Sequence, residues 1–229
     1  MDRDEVQRRL YAMLWCHAVG DALGAPYERR GAMAAFEPKV HLPITCNSRF
    51  QGKRVGVVGQ VTDDTEMTVI VARCLLDSRG YARDEHIQAY MRWANRTGSD
   101  APACPFMGTN TRNLFAGVTT IKGYTKRYET SGCEKSQSNG VMMRISPLSV
   151  LPDGERVDAV ITETSVSNPN PFACVCSVVY VEMLAAAIRF VGDEERVTAV
   201  LERGRAAIDE GADAITDEQR REIEAILAY

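Results

Sequence analysis

The sequence predicts an all-α protein, and three observations carry that expectation. Apolar residues recur at three- and four-residue spacing through most of the chain, and helix-start signals stand just ahead of those runs. The only strand-like stretch, Val55 to Val61, is short and isolated. The third observation is compositional: 229 residues, 45% hydrophobic and 25% charged, supply enough apolar side chain to bury a core. That balance argues against disordered, collagen-like and disulfide-scaffold classes. A single domain over residues 1–229 is expected.

The first helix is placed from about residue 3 to about residue 20. Asp2 and Glu5 form a capping-box pattern ahead of Val6, Leu10, Met13, Leu14, His17 and Ala18, which share a face. Gly20-Asp21-Ala22-Leu23-Gly24-Ala25-Pro26-Tyr27-Glu28 follows, where small residues let another backbone approach and Pro26 stops the helix. Pro38, Pro43, Gly52, Gly56 and Gly59 punctuate an irregular segment up to residue 61. After Thr62, the residues Met67, Ile70, Val71, Cys74 and Leu75 line up on one side of a second helix. Asp63 and Glu66 sit in its first turn, where the helix dipole favours anions. Asp84 is read as the cap of a third helix carrying Ile87, Tyr90, Met91 and Ala94, and Asn110 to Val118 as a short fourth.

Gly123 to Gly140 reads as a Gly- and Ser-containing spacer. Asn170-Pro171 offers an N-cap with proline at the first helical position, ahead of Phe172, Val175, Val178, Val179, Met183, Leu184 and Ala187. That helix is apolar nearly all round and is expected deep in the core. Ser177, Glu182 and Arg189 interrupt the stretch, which argues for a core helix over a membrane span. At least two more helices follow. The last begins at a Thr216-Asp217-Glu218-Gln219 capping box and presents Ile223, Ile226 and Leu227. Trp15 and Trp93 lie within helical patterns and are expected to pack.

Thirty-one acidic against twenty-seven basic residues give a net charge of −4, so no overall positive field attracts a phosphate backbone, and nucleic acid is a poor fit as partner. Seven scattered cysteines, with no apolar run at the start of the chain, suit a reducing cytoplasmic compartment. The one close pair, Cys174 and Cys176, has a single-residue spacer unlike a structural zinc site and is read as free thiols.

Thr62-Asp63-Asp64-Thr65-Glu66 places two adjacent carboxylates among hydroxyls at a helix start. Such oxygens are the hard ligands of Mg²⁺, Ca²⁺ or Mn²⁺. The same residues also make an ordinary helix cap, and the pattern alone leaves both readings open. Asp21 and Glu28, on the small-residue segment after the first helix, are acids that could line a cleft. In Ser138-Asn139-Gly140-Val141-Met142-Met143-Arg144, the Asn-Gly step can turn backbone amides toward an anion, with Arg144 about one helical turn on.

These three motifs, in this order, resemble the ADP-ribosylglycohydrolase family, whose members include dinitrogenase-reductase-activating glycohydrolases and ADP-ribosylarginine and ADP-ribosylserine hydrolases. The likeness covers about residues 8 to 190. It is most specific at Gly20 through Glu28, Gly59 to Thr65, Gly108 through Arg112, and Asn139-Gly140 through Arg144-Ile145-Ser146-Pro147. It implies an orthogonal bundle of helices around a magnesium centre of one or two ions, cleaving ADP-ribose from a modified acceptor through a metal-bound water. By that likeness Thr62, Asp63 and Asp64 are metal ligands, and Glu28, Asp63 and Asp64 are catalytic. Asp21, Gly24, Ser138, Asn139, Gly140, Met143 and Asn168 would bind the ADP-ribosyl substrate.

Two departures stand out. The family's Ser/Thr-His-Pro before the core helix is here Ser167-Asn168-Pro169, an amide in place of an imidazole. The family's C-terminal Asp-x-Asp-Thr, which supplies the other half of its metal centre, has no counterpart, and Asp213-Ala214-Ile215-Thr216-Asp217 has the wrong spacing. The chain is therefore expected to be C-terminally truncated. Self-association or a partner chain near the cleft is the corresponding expectation, and an ADP-ribose-binding or scaffold protein of the same fold is the alternative to a hydrolase. Phe106, Tyr124 and Tyr128 are placed in loops flanking the cleft and read as ordinary loop aromatics, with stacking of one of them on adenine as the alternative. His17 is read as a hydrogen-bonded core residue.

Overall fold

The computed structural model describes residues 2–25, 59–96, 107–189 and 193–228. Among the described residues there are nine α-helices and no strands, as the apolar periodicity predicts. The helices are α1 (Arg3–Gly24), α2 (Asp63–Ser78), α3 (Arg83–Ala94), α4 (Thr109–Phe115), α5 (Ile121–Thr130), α6 (Asp153–Ser165), α7 (Pro171–Arg189), α8 (Asp193–Glu210) and α9 (Asp217–Ile226).

The centre is α7, which packs against α6, α8 and the short 3-10 turn Ser146–Val150. Asn170 caps it by accepting from the Phe172 amide at 3.0 Å, so the Asn-Pro signal marks its start correctly. By length and apolarity alone this helix could cross a membrane. Its place in the bundle is that of a core element: Val175, Val178, Val179 and Val181 are buried, each contributing about 1.5–3 kcal/mol of burial energy. Glu182, also buried, is held by Arg156 of α6 at 2.6 Å and Arg203 of α8 at 2.6 Å. α8 lies so close that a Cβ at Gly204 would stand 2.9 Å from the Met183 sulfur, which explains a glycine inside a helix.

The second half of the core joins α2, α3, α4 and α5. Met67, Val71, Ile87, Tyr90, Leu114 and Phe115 are fully buried there, and Trp93 packs while donating its indole N–H to Glu66 at 2.7 Å. α1 lies on α2 and α7 and buries no residue completely.

Several local expectations are corrected. α1 runs through Gly20 and Asp21 to Gly24, so the small-residue motif is helical up to its second glycine. Asp2 caps Asp4 alone, because Glu5 turns away to Arg8 and Arg9. Asp84 lies inside the first turn of α3, whose N-cap is Ala82. The supposed spacer after Gly123 contains most of α5, and α6 fills a stretch for which the sequence suggested no element. Trp15 is exposed. Tyr124 and Tyr128 sit on α5, where buried Tyr124 stacks on Phe115 and donates to the Val166 carbonyl at 2.7 Å, so it is a core ring.

Candidate active site

The chain's three motifs meet in one cleft of about 850 Å³. The last turn of α1 brings Asp21 and Gly24, the start of α2 brings Thr62, Asp63 and Asp64, and the loop before the Ser146–Val150 turn brings Ser138, Asn139, Gly140 and Met143. Asn168, just ahead of α7, also lines it. Glu28 and Phe106 lie outside the described residues. Arg144, by contrast, is fully buried beneath the cleft, and its pairing with Glu163 takes it out of the anion-binding role its spacing suggested.

Asp21 is the joint between α1 and α2. Its Oδ2 accepts from the Thr62 amide at 2.8 Å and from the Thr65 hydroxyl at 2.7 Å, and its Oδ1 accepts from the Thr62 hydroxyl at 2.6 Å. The Thr65 amide adds a fourth bond at 3.2 Å. The free amides at the start of α2 thus find their acceptor on a neighbouring helix, beside the local cap that Thr62 gives Asp64. Asp63 is buried and accepts from the Gly108 amide at 3.1 Å, tying α2 to the start of α4.

Asp64 is left facing the cleft with a carboxylate neighbour. Its burial and the charge on Asp21 push its pKa up, against the Thr62 hydroxyl and the His17 ring, which pull it down. Two acids that repel each other among hydroxyl oxygens form a donor set suited to a hard divalent cation, whose charge would remove that repulsion. Among the described residues no three His, Cys, Asp or Glu side chains stand in an arrangement that would by itself hold a metal ion. His17 lines this wall of the cleft, 3.1 Å from the Thr68 hydroxyl, and is only partly buried, which corrects its reading as a core histidine.

The floor is bare. Gly20, Gly24 and Gly108 line the cleft, and a Cβ built on any of them would meet nothing within 4 Å among the described residues. Packing among the described residues does not require these glycines, and their absent side chains leave backbone open on that side of the cleft.

On the opposite wall, Ser138 and Asn139 are exposed in the cleft while Asn168 is buried behind them, donating to the Ser138 hydroxyl at 3.1 Å. Beneath lies a buried polar network absent from the sequence reading. Glu163 accepts from Arg144 Nε at 2.8 Å, the Tyr90 hydroxyl at 2.7 Å and the Tyr81 hydroxyl at 3.2 Å, with His86 Nδ1 at 3.1 Å. Burial raises the pKa of the Glu163 carboxyl, but the Arg144 charge and the His86 and Tyr90 bonds outweigh it and hold the group at about 2. Apolar spacing placed Tyr90 on the buried face of its helix but carried no signal for Tyr81, His86 or Glu163, since a polar side chain on a helix reads as solvent-facing.

A family model described as ADP-ribosylglycohydrolase matches residues 2–229. The chain belongs to the ADP-ribosylglycohydrolase family. The family is generally hydrolytic, toward ADP-ribose conjugates, and the all-α bundle and the resemblance of the motifs agree with that membership. The family match reaches further along the chain than the motifs do. No curated protein and no solved structure matches this ADP-ribosylglycohydrolase chain significantly.

Proposed function

We propose that this chain hydrolyses the N- or O-glycosidic bond between ADP-ribose and a modified acceptor in the cleft of α1, α2 and the Ser138–Gly140 loop. The observation that supports the reading is the convergence of separate motifs on one acidic, glycine-floored cleft. Thr62, Asp63 and Asp64 would hold Mg²⁺, as one or two ions, through hard oxygens. A cation bound there supplies Lewis acidity, lowering the pKa of water and neutralising the local carboxylates. Asp63 or Asp64 orients the attacking water or takes its proton. That water attacks the anomeric carbon, the bond to the acceptor breaks, and a proton passes to the acceptor as it leaves. Glu28 is the proposed acid near that bond. Asp21 holds the helix joint, the bare glycines admit the ligand, and Asn139 with its neighbours cradles the ADP-ribosyl part. A cytoplasmic location belongs to the same proposal.

Titration of ADP-ribose into the protein with and without Mg²⁺, followed by assay of ADP-ribose release from ADP-ribosylated arginine and serine peptides, tests it. Magnesium-dependent binding with release is expected, and Asp63→Ala with Asp64→Ala abolishes release. Full activity in that double variant overturns the metal assignment. Binding without release identifies instead an ADP-ribose-binding protein of the same fold.

A further inference from the structure

The Ser138–Gly140 loop is gripped at both flanks from below. At one flank the Asn168 amide donates to the Ser138 carbonyl at 3.3 Å, the Ser138 hydroxyl at 3.1 Å and the Ser136 hydroxyl at 3.3 Å. At the other, Arg144 Nη1 donates to the Gly140 carbonyl at 3.0 Å. The two grips are one device. Arg144 Nη2 donates to the Ser167 hydroxyl at 3.0 Å, and that hydroxyl donates to Asn168 Oδ1 at 2.8 Å. Arg144 is in turn fixed by fully buried Glu163.

Asn168 itself is 1% exposed. Its two amide hydrogens serve three oxygens and its carbonyl oxygen is engaged by Ser167, so it has no donor to spare for a ligand. Asn139, exposed between the two gripped neighbours, lines the cleft.

We infer that Asn168 and Arg144 are positioning residues, which fix the shape of the Ser138–Gly140 loop so that Asn139 and the loop backbone meet the ADP-ribosyl part of the substrate, and that Asn168 does not itself contact substrate. This inference rests on the proposed function for the identity of the ligand and on the hydrogen-bond network for the role. It places recognition of the ADP-ribosyl part on a rigid, core-anchored loop.

The test measures amide hydrogen exchange of residues 138–140 in the unliganded protein alongside ADP-ribose affinity by titration. Asn168→Ala is expected to speed exchange of those amides and weaken ADP-ribose binding, each by roughly tenfold, the effect of losing about one to two hydrogen bonds. Arg144→Lys keeps a charge for Glu163 but cannot reach Gly140 and Ser167 together, so it is expected to give the same pattern while the fold is retained. Asn139→Ala is expected to weaken binding with exchange of the neighbouring amides unchanged. Weaker binding in Asn168→Ala with wild-type exchange of residues 138–140 would mean direct contact and overturn the inference, as would unchanged exchange in Arg144→Lys. Failure of the wild-type protein to bind ADP-ribose would sink the proposed function, while the exchange measurement, which needs no ligand, would still decide the positioning role.

Discussion

Asp64, half-buried in the cleft wall, and Glu163, fully buried beneath it, are acids whose surroundings drive them in opposite directions. At Asp64 burial and the Asp21 carboxylate raise the pKa, so its ionised form weighs against the fold near neutral pH, a burden that suits a residue kept for a cation. Glu163 meets Arg144, Tyr90 and His86, and these hold its pKa at about 2, below the ordinary 4.5. A depressed acid stabilises the fold fully above its unfolded pKa, and that contribution is lost as pH falls through the folded one. Glu163→Gln leaves Arg144 buried without its counter-charge and is expected to cost about 3–5 kcal/mol in urea denaturation at pH 7. The difference from wild type should narrow as pH falls from about 4.5 toward 2. A difference that stays constant across that range would show that the charge on Glu163 is not what stabilises the site.

α1 carries two glycines in its last turns, Gly20 and Gly24, with no described neighbour that a side chain would strike. Glycine inside a helix costs up to about 1 kcal/mol relative to alanine. Gly20→Ala is therefore expected to raise thermal stability while weakening ADP-ribose binding, because the new methyl group would occupy the cleft floor. Equal or tighter binding in that variant would remove the floor from the ligand site. The residues of the cleft were legible through the family resemblance of their short segments, which hold Asp21, Gly24, Thr62, Asp63, Asp64, Ser138, Asn139 and Gly140, while local chemistry alone left residues 62–64 readable as a helix cap as well. What escaped was what lies across the fold. Tyr81, His86 and Tyr90 reach Glu163 from 73 to 82 positions away, a distance that no periodicity encodes. α5 was hidden because Gly123 and a run of charged residues mask its buried Tyr124. α6 begins at Pro152-Asp153-Gly154, which looks like a turn, and its buried face includes Arg156, Glu163 and Thr164.

At the scale of the whole molecule, the cleft bridges two regions of the core. α2 and α4 belong to one, the turn leading to α7 belongs to the other, and α1 leans on both. The Asp21 joint spans 41 positions between α1 and α2. Closing a loop of that length costs about 3 kcal/mol of chain entropy, while four hydrogen bonds to a carboxylate return about 1.5–3 kcal/mol each. The joint thus more than offsets the cost of its own closure. Because the joint pairs residues 41 positions apart, it is expected to close late in folding, so Asp21→Asn, which removes an acceptor, is expected to speed unfolding and leave the folding rate nearly unchanged. Stopped-flow traces showing slowed folding instead would place the joint in the folding nucleus. The carboxylate that closes the joint also stands beside Asp64, so a ligand that settles on this wall and binds only the folded protein adds its own binding energy to the joint and protects it against unfolding.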